Sequence, residues 1–379
     1  MSTLITAVAL DRAGDHPAAW RESAVDPRSL LDPQRLRLEV QTVEAAGVDF
    51  VTVPDSLAVD ASGSSVPLLD AVTQLAAVAP VTDRIGLVPT VTTTHTEPFH
   101  LQAAVASVDF ASLGRAGWQP TVSLGAGEAA AIGRRGTAAP EALWQEAGEV
   151  IDVARLLWDS WEDDAEIRDV ATGRFIDRDK LHYVDHVGST FSVKGPSIVP
   201  RSPQGHPVTV VSLSDTVLTD PVVLRVAARA DVVLVPAGAD FAARRVALAA
   251  AVAELGRDFD QVRVLIDASV VFDLPEETAA TRIDRLQGRT RSGPPDLVGS
   301  LEAITERIAG WAGGVDGIHL RPWVIAADLP QITAQLIPAL RAGGLLPPAP
   351  TGPTTFRDRL GLTRPVNVFA AGREGALSL

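Results

Sequence analysis

The sequence predicts one α/β barrel, and three observations carry that prediction. First, short Val-, Ile- and Leu-rich runs bounded by turn residues recur along the 379 residues. Continuous rather than alternating apolar character marks strands buried on both faces, as in parallel sheets. Second, stretches of helical period separate these runs in strict alternation, and eight such units make a single (β/α)8 TIM barrel. Third, the first run ends Leu10-Asp11-Arg12-Ala13-Gly14-Asp15, which lacks the glycine fingerprint that opens a doubly wound dinucleotide-binding sheet. One barrel with insertions accommodates a chain of this length.

Taken in order, the predicted strand at 4–10 precedes a helical stretch at 33–46, and the strand at 50–53 precedes one at 68–79. Strand three, 85–90, leads into a helix at 98–113, and strand four, 119–124, into the longest helical pattern, 140–161. The same connection carries a further segment, 163–205, rich in Asp, Gly and Pro, which reads as a rim excursion between strands 4 and 5. Strands at 208–212, 231–235 and 262–271 alternate with helices at 220–230, 240–255 and 300–311. The eighth strand, 317–320, precedes a last helix at 328–342. Residues 1–342 are thus expected to be one barrel. The C-terminal extension, 343–379, contains Pro347-Pro348-Ala349-Pro350 and reads as a tail wrapping its outside.

Composition removes whole classes of function. At 46% hydrophobic residues the chain can bury a large core, yet no window approaches the roughly 20 apolar residues that span a bilayer. The start, Met1-Ser2-Thr3-Leu4-Ile5-Thr6, lacks a basic run ahead of an apolar stretch, so a cytoplasmic protein is expected. There is no cysteine, which excludes disulfides, thiolate metal sites and cysteine nucleophiles. A net charge of −14 without a local basic patch argues against nucleic-acid binding. Lysine nucleophiles are limited to Lys180 and Lys194.

In such a barrel the ligand sits at the C-terminal strand ends. That rule selects Asp55, the stretch Thr92 to His95, the stretch Gln119 to Ser123, Ser212, Ser214, Ala237-Gly238 and Arg321. The set is polar but holds no His/Asp/Glu cluster at metal-ligand spacing, so no metal site is expected. His182 and His186 sit among loop residues, and Glu162-Asp163-Asp164 reads as a solvated helix end. There is no GxSxG elbow and no pair of carboxylates on consecutive strand ends. Trp118 and Trp144 lie where a flat ring system could stack. A polar mouth without an acid–base engine of its own points to an enzyme whose reactive centre is a bound cofactor.

Specific strings then carry a resemblance. They include Asp15-His16-Pro17-Ala18-Ala19-Trp20-Arg21, Asp49-Phe50-Val51-Thr52-Val53-Pro54-Asp55 and Glu97-Pro98-Phe99-His100-Leu101. Longer ones are Leu157-Trp158-Asp159-Ser160-Trp161-Glu162-Asp163-Asp164-Ala165 and Val199-Pro200-Arg201-Ser202-Pro203-Gln204-Gly205, with Phe356-Arg357-Asp358-Arg359-Leu360-Gly361-Leu362 near the end. Together the chain resembles the bacterial-luciferase-like flavin-dependent monooxygenases, in particular the nitrilotriacetate monooxygenase component A group. The resemblance implies the same barrel and reduced FMN delivered by a separate flavin reductase. It implies a small organic substrate oxygenated by O2 through a flavin peroxide, and a homodimer or homo-oligomer built on helices of the first half. The catalytic residues stay unknown, and so does the substrate.

Carried over residue by residue, the resemblance places the cofactor against Asp55, Thr92, Thr93, Gln119, Trp144, Ser214 and Asp215, with Asp55, Thr92, Thr93, Gln119 and Ser214 converging on one pocket. Several positions depart from the family pattern. Its Asn is Gln119 here, its His and Tyr fall on Pro140 and Trp144, its arginine after His100 is Ala103, and its Gly-Ser-Ser phosphate turn reads Leu213-Ser214-Asp215. A carboxylate at about 4 Å from a phosphate, at an effective dielectric near 20, costs about 4 kcal/mol per unit charge. The flavin site is therefore expected to be partly degraded. The alternative is a drifted paralogue, acting as a partner subunit or ligand-binding barrel with weak or no FMN binding. The connection from Val271 to Val298 is also shorter than the family's, so substrate choice does not carry over.

Overall fold

The computed structural model describes residues 3–22, 25–58, 66–213, 220–238, 240–349 and 351–371. Eight parallel strands close into a barrel: β1 (Ile5–Ala9), β2 (Phe50–Val53), β3 (Gly86–Thr92), β4 (Gly117–Thr121), β5 (Val208–Ser212), β6 (Val232–Pro236), β7 (Arg263–Phe272) and β8 (Gly317–Pro322). Neighbours pair in chain order, β1 closes the ring on β8 with Ile5 opposite Gly317, and a short strand, Leu297–Gly299, adds to the far end of β7. Fully buried strand residues such as Val8, Val51, Leu87 and Val233 explain the continuous apolar runs, because the outer face of each strand lies under a helix.

The covering helices are α1 (Pro33–Ala46), α2 (Ala71–Val78), α3 (Pro98–Ala111), α4 (Ala126–Ile132), α5 (Pro140–Asp159), α6 (Pro221–Ala227), α7 (Phe241–Glu254), α8 (Ala279–Gln287) and α9 (Leu301–Trp311). A final helical stretch runs from Ile325 through one π turn at Ile332–Leu336 to Ala342. Most starts follow from capping chemistry. Asp32, Asp70, Asp220, Asp240 and Ser300 each accept a first-turn amide, and Pro33, Pro98, Pro140 and Pro221 supply the fixed φ suited to a first helical position.

Three expectations need adjustment. Strand four begins at Gly117, two residues before the apolar pattern suggests. Two helices, α4 and α8, were not foreseen. The first is short and rich in alanine and glycine. The second carries Arg282 in its buried face, where Asp328 neutralises it at 2.7 Å, so its core-facing stripe does not read as apolar. The rim excursion holds two small antiparallel hairpins, Glu166–Asp169 with Arg174–Ile176 and His186–Val187 with Ser192–Val193.

The tail goes deeper than an outer wrap. Phe356 is fully buried under the N-terminal end of the barrel, with its ring 5.2 Å from that of Phe50. A Cβ at Gly86 or Gly117 would stand 2.7 or 3.0 Å from the Phe356 ring, so both positions require glycine for steric reasons. Burying one phenyl group stabilises by about 1.5–3 kcal/mol. Among the described residues no helix is long and apolar enough to cross a membrane.

Candidate functional site

The barrel interior changes character from base to mouth. At the base it is an apolar cluster of Ala7, Phe50, Val88, Val210, Val232, Leu265 and Phe356. Two residues further along the strands, on the same face because strand side chains repeat with period two, stand Ala9, Thr52, Thr90, Ser212, Leu234 and Asp267. With Gln119 and His319, these line a cavity of about 200 Å³ at the C-terminal strand ends. Asp11, Asp15, Arg321 and Pro322 complete its rim. The mouth is thus a polar layer resting on an apolar one.

Register explains how its charged groups meet. Asp267 of β7 lies opposite His319 of β8, and Ser269 lies opposite Arg321. Asp267 Oδ1 is 2.8 Å from His319 Nδ1 and accepts from Arg321 Nε at 3.0 Å. His319 Nε2 lies 2.9 Å from Thr52 Oγ1 of β2, reached past the small Ala7 of β1, which pairs with His319 on one side. Arg321 Nη1 donates to Asp15 Oδ1 at 2.6 Å, and Nη2 lies 3.7 Å from Asp296.

Burial is the largest influence on Asp267 and pushes its carboxyl up, but the His319 bond and the charges of His319 and Arg321 outweigh it and hold it below the usual range. Asp15 goes the other way. Its burial, reinforced by neighbouring Asp267 and Asp11, raises it despite Arg321. Arg321 itself is raised, since Asp267, Asp15 and Asp296 offset the effect of burial.

A second cavity of about 210 Å³ lies between the ends of β2 and β3 and helices α2 and α3, lined in part by Asp55, Asp70, Thr92 and His100. Thr90 borders both cavities. The sequence-derived residues divide between them. Asp55 faces this side cavity and accepts from the amides of Ser56 and Ala71 at 2.7 and 2.9 Å. Burial raises its carboxyl in spite of those bonds. Thr92 also lines the side cavity and bonds Ser123 Oγ at 2.8 Å, whereas Thr93 turns back to the Thr121 carbonyl at 3.0 Å. Gln119 lines the mouth. Trp144 is buried in the apolar cluster that holds Leu101 and Trp118, and Pro140 is the exposed first residue of α5. Trp118 packs edge-on against Trp158 and donates to Thr209, a core role rather than a ligand-stacking one. Ser214 and Asp215 lie outside the described residues. The expected single pocket is therefore two adjoining ones as far as the described residues go.

Sequence reasoning passed over Thr52, Asp267 and His319. Each sits inside a run read as a buried strand, and the available signal was a polar residue on the interior face two positions beyond an apolar one: Phe50 then Thr52, Leu265 then Asp267. The expectation that the mouth lacks an acid–base pair is corrected by the His319–Asp267 contact. His182 pairs with Glu162 at 2.8 Å and stacks on Phe369. Among the described residues no group of three or more His, Asp or Glu is placed to hold a metal ion.

A closed parallel barrel with a polar mouth at the C-terminal strand ends defines the class as a TIM-barrel protein. The model of the luciferase-like monooxygenase family matches residues 13–307, and the chain belongs to that family. Nitrilotriacetate monooxygenase component A of Aminobacter aminovorans is 40% identical over 212 residues, 52% of this chain and 47% of that protein. The match thus spans about half the length of that relative. N-acetyl-S-(2-succino)cysteine monooxygenase of Bacillus subtilis (strain 168) is 31% identical over 341 residues, covering 88% of this chain and 73% of that protein. The crystal structure of a riboflavin lyase with modified FMN and riboflavin superposes with a TM-score of 0.81 at 24% identity, over 95% of this chain and 96% of that one.

Proposed function

We propose that the protein is the oxygenase of a two-component flavin-dependent system, taking reduced FMN from a separate reductase and oxygenating a small organic substrate in the barrel mouth. Family membership supports the reaction class. The observation that carries the placement is the polar mouth layer, in which the side chains of Gln119 and Ser212 engage no hydrogen bond among the described residues and line the cavity. An amide and a hydroxyl with their bonding capacity unspent fit the polar edge of an isoalloxazine. When bound, the flavin supplies the oxygen activation. The chain's own residues bind it, orient the substrate and exclude water from the mouth. Thr90, Gln119 and Ser212 would hold the ring system, and Asp55 and Thr92 would border its side chain.

The hold on the phosphate is weak in this reading. Trp144 lies in an apolar cluster and Pro140 is exposed, so neither replaces the polar groups of the family pattern. Asp215 stands in the sequence where a phosphate-contacting serine is expected. Reduced FMN titrated anaerobically into wild type should bind weakly, and Asp215→Ser should tighten it, about tenfold for each 1.4 kcal/mol of repulsion removed. Equal, low-micromolar binding by both proteins refutes the degraded anchor; no binding by either refutes the oxygenase reading.

A further inference from the structure

We propose that Thr52, His319 and Asp267 form a proton relay opening into the barrel mouth, which takes a proton from a bound substrate bearing a weakly acidic hydroxyl, a phenol or an enol. The inference rests on the reading of the mouth as the oxygenation site and names the substrate class that site takes.

The charge on Asp267 fixes the direction of the relay. Asp267 Oδ1 receives two hydrogen bonds, from His319 Nδ1 at 2.8 Å and from Arg321 Nε at 3.0 Å. An ionised carboxylate can only accept, so the proton of the neutral imidazole resides on Nδ1 and Nε2 is left as an acceptor. Thr52 Oγ1, 2.9 Å away, therefore donates its one proton to Nε2. Its lone pairs are left to accept, and Thr52 lines the mouth. Whatever completes the line from the cavity side must be a donor.

The step balances without an oxidant. The substrate O–H bond breaks and its proton passes to Thr52 Oγ1 while the original threonine proton passes to His319 Nε2. The products are a substrate oxyanion, an intact threonine and an imidazolium paired with Asp267. Phenols and enols suit this step because their hydroxyls are more acidic than those of alkanols and yield a proton more readily to a nitrogen base. Ionisation also enriches the substrate in electrons, as transfer of an electrophilic oxygen requires.

The surroundings support the charge states. The groups facing the relay are Asp11, Asp15 and Arg321, with Asp296 behind Arg321. Arg321 spends Nε on Asp267 and Nη1 on Asp15, so it braces the relay's acidic end. Burial pushes the Asp267 carboxyl up, but His319 and Arg321 outweigh it and hold it below the usual carboxylate range. A histidine that only fills the barrel would need neither the carboxylate on one side nor a cavity-lining hydroxyl on the other.

The test uses 4-nitrophenol and the flavin-free protein, with absorbance of the phenolate followed against pH. Wild type should bind the probe and ionise it about one pH unit or more below the free molecule. His319→Gln and Thr52→Val should abolish that displacement, and Thr52→Ser should keep it. An unshifted bound probe, a displacement that survives in Thr52→Val, or no binding at millimolar concentration overturns the relay. Reduced FMN titrated into the same preparations separates the two readings: intact phenol ionisation without flavin binding supports the relay and removes the oxygenase.

Discussion

Asp231, buried at the base of the barrel, and Asp267, half-buried at its mouth, are both aspartates held by cationic groups, and their surroundings differ. Asp231 accepts from the Thr209 amide at 2.9 Å and is ringed by Arg357, Arg257 and Arg155 at 3.2, 3.5 and 3.8 Å. Those arginines bond in turn to main-chain carbonyls, among them Ala230 and Thr363 at 2.9 Å. Asp231 and its three arginines also line a cavity, of about 720 Å³, at the base. From Asp267 the threads run through His319 and Arg321 to Thr52 and Asp15, which border a cavity. At the base one carboxylate is shared by three guanidinium groups, and at the mouth one guanidinium is shared by Asp267, Asp15 and Asp296.

The sharpest way to break this comparison is to remove each aspartate. Asp231→Ala strands the buried Arg357 guanidinium and two half-buried ones, and should cost about 3–5 kcal/mol in chemical denaturation. Asp267→Ala should cost clearly less, because Arg321 keeps Asp15 and Asp296 as partners; equal losses would sink the distinction.

A second base carboxylate, Asp109, adds a pH dependence. Burial raises it to about 6, against the bonds it accepts from the Ala116 amide and Gln204. Its folded pKa exceeds the unfolded value near 3.9, so its contribution is fully present below about pH 4 and is lost as pH rises through about 6. Asp231 has the opposite sign. Burial is again the largest influence, but its arginines hold it well below the usual range, so its contribution is kept above about pH 4 and lost in stronger acid. Denaturation of Asp109→Asn between pH 4 and 7 should show a slope flattened by about 2–3 kcal/mol overall. An unchanged slope would mean that Asp109 is ionised throughout.

Smaller effects sharpen the comparison at the mouth. Asp55→Ala removes the acceptor for the Ala71 amide at the start of α2 and should cost about 1 kcal/mol, while also weakening reduced FMN. Gln119→Ala removes a side chain without a hydrogen-bond partner among the described residues. Stability should change by less than about 0.5 kcal/mol, and reduced FMN affinity should fall several-fold. A large stability loss there would assign Gln119 to the fold rather than to a ligand.

The barrel was legible because its strands are buried on both faces, and double burial writes itself as continuous Val/Ile/Leu runs. The same property hid the centre of the site. Thr52 and His319 sit within apolar strings, FVTV and GIHLRP, and become a pair only when closure brings β2, β1 and β8 side by side. Residues just past strand ends, such as Asp55 and Gln119, could be selected by position alone. Which cavity each faces depends on the packing of α2 and α3, which no local pattern encodes. Helix α8 stayed hidden for a third reason: its buried arginine answers Asp328, which lies far along the chain.

The seat of Phe356 also bears on how the chain is made. During synthesis the strands leave the ribosome first, and Gly86 and Gly117 shape a socket for an aromatic ring that arrives only after all of them. Until it arrives, the apolar floor that Phe50, Val88 and Leu265 share with it stays open to water. Translation that stalls before this residue therefore leaves an unsealed hydrophobic surface of the kind that chaperones and proteases recognise. The plug ties the sealing of the core to the synthesis of a segment that follows the last barrel strand.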